Sequence, residues 1–127
     1  MADISPSLIL LTYKGKILLM HKKSGVMDEE AHPWCFIGGI RKNKESYEAA
    51  MSRKVEEETG IKIENVEFVS KSRYFAALTD DNINNIQRGE FQLLDFFTLK
   101  DLQKLSLAAS TKEFVLNHAH LIEKLPI

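Results

Sequence analysis

Apolar positions along the chain change period several times, and each change marks an element. Residues 7–13 (SLILLTY) and 16–22 (KILLMHK) are nearly continuous apolar runs separated only by Lys14-Gly15. A two-residue break ending in glycine predicts a β-hairpin with a tight turn. Residues 24–33 are polar and read as an exposed loop, and Trp34–Ile37 reads as a short strand ending at Gly38-Gly39. The period then lengthens. Residues 46–58 lack Gly and Pro, and Tyr47, Met51 and Val55 recur at helical spacing. Ser46 is placed to cap that helix, and Gly60 to end it in the left-handed region. Residues 66–78 and 91–99 read as strands, with the polar, Asn-rich stretch Thr79–Gly89 as a loop. Ser110-Thr111-Lys112-Glu113 has the form of a capping box. It predicts a helix to about Leu125, with Phe114, His118, Leu121 and Leu125 on one face. The order ββ, β, α, ββ, α predicts a mixed α/β domain with a helix on each side of a sheet.

Composition narrows the partners. The chain has 127 residues and a formal net charge of −1. That length suits a single domain, 1–127, large enough to fold without a disulfide or structural metal. The charge balance gives no bulk basic signal, so no nucleic-acid partner is expected. The longest early apolar run is Leu8–Leu11, far too short for a membrane span. A cytoplasmic location is expected, with the single cysteine, Cys35, reduced.

Glu56, Glu57 and Glu58 close the predicted helix. Read alone, a charge run of this kind is a solvated helix end. Yet each carboxylate sits at the negative pole of the helix, at a cost of about 0.3–1 kcal/mol, and the three repel one another. A bound cation would offset both. Glu57 and Glu58 are helical neighbours, whereas Val55 lies about 160° from Glu57. The apolar stripe can therefore face a core while the two glutamates face a cleft. Oxygen ligands of this kind suit Mg²⁺ or Mn²⁺. Arg53 lies one turn before Glu57, within reach of its carboxylate.

The spacing of Gly39, Glu45, Arg53, Val55, Glu57, Glu58, Gly60 and Ile61 resembles the signature box of the Nudix hydrolases, the MutT-like family. The lead-in Trp34, Phe36, Gly38 and Gly39 is also similar to the family's. The resemblance implies a Nudix-type mixed β-sheet sandwiched between helices (α/β/α). It implies hydrolysis of a phosphoanhydride bond in a nucleoside diphosphate linked to another moiety. It further implies Arg53, Glu57 and Glu58 as catalytic residues, with Mg²⁺ or Mn²⁺ held by Glu57, Glu58, the Gly38 carbonyl and a loop carboxylate, best matched by Glu90. The partner would be a small-molecule nucleotide.

One fixed position departs. Where the family places the first glutamate of the box, this sequence has Lys54, on the same helical face as Glu57 and Glu58. A lysine ammonium about 5 Å from a divalent ion is repelled by several kcal/mol. Lys54 can swing to solvent, pair with Glu58 in place of a metal, or face the substrate phosphates. The competing reading is therefore a catalytically impaired Nudix-fold module that binds a nucleotide without turnover. Two softer departures are Ile37 and Lys44, where the family usually has Pro and Gly.

The remaining candidates have plainer readings. Asp80 and Asp81 suit turn chemistry first and metal binding second. Trp34 suits a core, or a base-stacking wall. Tyr74 and Phe75 alternate, so one of them is expected to face outward. His118 and His120 diverge on a helix, His21 and His32 have no ligand partner by spacing, and Cys35 reads as a buried thiol.

Overall fold

The computed structural model describes residues 6–22, 33–87 and 92–118. Strands β1 (Ser7–Tyr13) and β2 (Lys16–Lys22) form the expected hairpin. Lys14 and Gly15 both have positive φ, at 50° and 78°, the combination a two-residue primed turn needs. The hairpin is paired at Thr12–Ile17 and Tyr13–Lys16, next to the turn. Further out, β3 (Ile37–Gly39) pairs with Ser7–Ile9 of β1, and Cys35 bridges Met20 of β2. This segment is thus a wedge between the hairpin's open ends. The strand ends at the two glycines, as the sequence predicted, and includes them.

Helix α1 (Tyr47–Thr59) starts at Ser46, whose side chain accepts from the Ala49 N–H, and ends at Gly60 with φ 76°. The stretch expected as one strand, 66–78, is a second hairpin: β4 (Glu67–Ser70) and β5 (Arg73–Ala77). Lys71 and Ser72 make its turn. Strand β5 then runs parallel to β1. The stretch Thr79–Gly89, expected as a loop, contains a short helix, α2 (Asp80–Asn85), closed by a Thr79/Asn82 capping box. Sequence reading missed it because it has no buried residue and no apolar stripe. Strand β6 (Gln92–Phe97) pairs with β2 and completes a mixed sheet in the order β4-β5-β1-β2-β6.

Helix α3 (Leu99–Leu102), also unforeseen, is capped by Thr98. Helix α4 (Ala109–Asn117) begins before the expected capping box and has no side-chain cap. Thr111 is buried and instead accepts the Phe36 N–H at 3.0 Å, tying α4 to the strand segment. The helix ends at Asn117, with His118 as its C-cap, short of the end near Leu125 that the sequence predicted; Leu121, Leu125, His32, His120 and Glu90 lie outside the described residues.

Alternation along β1 and β2 divides the core. Ile9, Leu11, Leu18 and Met20 pack with Met51 and Val55 of α1 on one face. Leu8, Leu10, Ile17 and Leu19 pack with Leu102 and Phe114 on the other. The sheet is therefore covered by α1 on one side and by α3 and α4 on the other, the α/β/α arrangement expected. Both Tyr74 and Phe75 are used in this packing. Tyr74 is buried in the first core and Phe75 is half-buried against the second, so neither faces outward. Trp34 likewise packs into the second core, against His21 and Phe97.

Candidate active site

The site is built where the last two turns of α1 meet β3. Arg53 organises its outer part. Its Nε donates to Glu45 Oε2 at 2.9 Å and Nη2 to Glu45 Oε1 at 3.1 Å, a two-pronged pair. Nη2 also donates to the Ile40 carbonyl, and Nη1 to Glu57 Oε1, both at 3.2 Å. Glu45 accepts the Lys42 N–H as well. One guanidinium thus ties the loop 40–45 to the helix and aims Glu57. Arg53 holds the Glu45 and Glu57 carboxyls below the usual range, by direct hydrogen bonding in each case.

A folded-state pKa depressed below its unfolded value, about 4.3 for Glu, adds stability at higher pH. That contribution is lost as pH falls through the depressed values. The melting temperature is expected to hold from neutrality to about pH 5 and to fall below about pH 4. Glu45→Gln should flatten this acid-side decline in a thermal melting series. An unchanged decline would show that the Arg53 pairs do not couple to folding.

The inner part belongs to Lys54. Its Nζ lies 2.9 Å from Glu58 Oε1 and 3.5 Å from Glu57 Oε2, bridging the two carboxylates. Of the outcomes open from the sequence, pairing with Glu58 is the one observed. Glu58 is buried, only 5% exposed, whereas Glu57 is exposed. Glu58 Oε2 is buried with no hydrogen-bond partner. The stem of Lys54 crosses the bare face of Gly39. A Cβ built there would stand 2.8 to 3.1 Å from Lys54 Cγ, Cδ and Cε. Gly39 therefore shapes the path of Lys54, a contact across β3 and α1 that spacing along the chain does not reveal. Gly38, one residue earlier, sits opposite Leu8, and a Cβ there would stand 1.8 Å from the Ser7 carbonyl oxygen.

The donor set can be weighed against a divalent cation. Among the described residues, no three His, Cys, Asp or Glu side chains converge as a metal cage. Two adjacent carboxylates do converge, one with an unsatisfied buried oxygen. An unmet acceptor of this kind is costly and fits a hard cation held by oxygen. The oxygen chemistry of the pair therefore fits a divalent ion, although Lys54 Nζ is the cation found between the two carboxylates.

The other candidates fall away from the pair. Glu56 is exposed. Asp80 and Asp81 form the first turn of α2, and Asp80 accepts from the Tyr13 hydroxyl. Cys35 is half-buried, its thiol 3.6 Å from the Met20 carbonyl. His118 packs edge-on against Phe114. Lys44 has φ 65°. This left-handed conformation costs a non-glycine residue about 1 kcal/mol, which explains why glycine suits that position.

The Nudix domain family model matches residues 2–118. The chain belongs to the Nudix family. Solved structures share the fold at low identity. A MutT from work on Aliivibrio salmonicida and Vibrio cholerae is 23% identical, with 96% of this chain and 98% of that one covered and a TM-score of 0.68. A MutT/Nudix protein from Listeria innocua is 20% identical, covering 98% and 96%, with a TM-score of 0.68. An Ap4A hydrolase from Caenorhabditis elegans is 16% identical, covering 97% and 100%, with a TM-score of 0.71. No curated protein matches the chain. Among the described residues, no helix is long and apolar enough to cross a membrane.

Proposed function

We propose that this chain, acting as one Nudix domain, hydrolyses a phosphoanhydride bond in a small nucleoside diphosphate linked to another moiety. The observation that supports this most is the Glu57–Glu58 pair, with its unsatisfied buried oxygen, aligned in the box that defines the family. Glu57, Glu58 and the Gly38 carbonyl would hold Mg²⁺ or Mn²⁺, with Glu90 as a further ligand from outside the described residues. When bound, such an ion polarises phosphoryl oxygens and activates water. Arg53 fixes Glu57 through Glu45 and the Ile40 carbonyl, so the carboxylate is held ionised and in place. Glu57, Glu90 or a metal-bound hydroxide would take the proton from the attacking water. We further propose a cytoplasmic location.

Phosphate release from a panel of nucleoside diphosphate derivatives, with and without Mg²⁺ or Mn²⁺, tests this reading. At least one compound should be cleaved only when metal is present. No cleavage across the panel, with ligand binding retained, would favour the second reading. That reading is a nucleotide-binding or regulatory module without turnover, and the bridging position of Lys54 is what favours it. Lys54→Glu replaces a positive by a negative charge beside the pair. It should raise metal-dependent cleavage by about tenfold or more. A fall in cleavage would identify Lys54 as a contact to the substrate phosphates.

A further inference from the structure

Box glutamates that should repel each other are adjacent here, and no third carboxylate joins them among the described residues. The charge that keeps them together comes from the chain itself. Lys54 Nζ is within hydrogen-bonding distance of Glu58 and within ion-pair distance of Glu57. Its stem is not a freely swinging tether. Its Cγ, Cδ and Cε run through the space left by the missing side chain of Gly39. Lys54 is accordingly only about one-fifth exposed, with side-chain exposure of 21%. Arg53 does not compete for this place, because its guanidinium is committed to Glu45, Ile40 and the other oxygen of Glu57.

We infer that Lys54 is a built-in cation that stands in for one divalent ion, so that a metal enters the Glu57–Glu58 pair only by releasing the lysine. This rests on the proposed reading of that pair as the metal site, and it specifies how the site is controlled. Three carboxylates (Glu45, Glu57, Glu58) face two side-chain cations (Arg53, Lys54), so little negative charge is left to attract ions. The site then takes fewer ions than a box with a third glutamate, and takes them more weakly. Once displaced, the ammonium remains on the same helical face, one turn from Glu58, where it adds positive charge for phosphate oxygens.

Two measurements on the full chain test this. Free Mn²⁺ is titrated by electron paramagnetic resonance in wild type and in Lys54→Met, which keeps much of the stem and removes the charge. The variant should bind Mn²⁺ at least about tenfold more tightly. In parallel, reductive methylation of wild-type lysines is followed by mass spectrometry. Lys54 should react slowly without Mn²⁺, compared with exposed Lys62, and several-fold faster with saturating Mn²⁺. The labelling needs no variant, so a folding defect in Lys54→Met leaves the question decidable. Equal Mn²⁺ affinity in a folded variant, or Lys54 labelling indifferent to Mn²⁺, would overturn the inference. Release of Lys54 by Mn²⁺ without cleavage of any nucleotide would uphold it while removing the proposed activity. Cleavage with Lys54 still protected would do the reverse. Failure of both proteins to bind Mn²⁺ would remove both.

Discussion

Glu58→Gln is expected to lower metal-dependent turnover by about a hundredfold or more, equivalent to about 2.7 kcal/mol of transition-state stabilisation. The amide keeps the volume and one acceptor oxygen, so it can still receive the Lys54 ammonium seen 2.9 Å away. It loses the charge that a cation needs, at the buried member of the pair. The core stripe of Met51 and Val55 lies on another part of the helix and is untouched. Melting temperature should therefore stay close to wild type. Steady-state kinetics and thermal melting, measured on the same preparation, check both halves. Unchanged turnover in a folded variant would place the chemistry elsewhere.

Gly38→Ala is expected to damage folding. The added Cβ would stand 1.8 Å from the Ser7 carbonyl oxygen and 2.8 Å from Leu8 Cδ2. Ser7 and Leu8 are buried at the end of β1, which pairs with β3 on one side and β5 on the other. The backbone there cannot yield without disturbing three strands. Overpacking of this severity costs about 3 kcal/mol or more, a large share of a small domain's stability. Urea denaturation should show the midpoint shifted sharply down. Gly39→Ala provides the contrast, since its Cβ meets only the side chain of Lys54 among its nearest atoms. It should disturb metal response more than folding. A Gly38→Ala variant as stable as wild type would contradict the close approach of β1 and β3.

Much of this was legible in the sequence for local reasons. The hairpin, the capped helix α1 and its Tyr47–Met51–Val55 stripe all depend on residues a few positions apart. So does the Arg53–Glu57 pair, one helical turn apart. The Lys54–Glu58 pair follows the same rule and stood among the open alternatives. What could not be read depends on partners far away in the chain. The 66–78 stretch is apolar enough for one strand, and its division into β4 and β5 follows from β5 pairing with β1. Thr111 belongs to a capping-box sequence, yet its hydroxyl serves Phe36 instead. Helices α2 and α3 are too short to carry a hydrophobic period. Tyr74 and Phe75 both became inner residues because helices cover both faces of the sheet. In the site, the groove over Gly39 was invisible for the same reason, since it exists only once β3 lies beside α1.

Anomalous diffraction from a crystal soaked in Mn²⁺ together with a non-hydrolysable dinucleotide tests most directly whether the Glu57–Glu58 pair holds a divalent cation. The expected result is an anomalous peak against both carboxylates, with Lys54 Nζ moved away from its bridging position and phosphate oxygens beside the ion. Lys54 still bridging Glu57 and Glu58 at saturating Mn²⁺, with no peak at the pair, would contradict it.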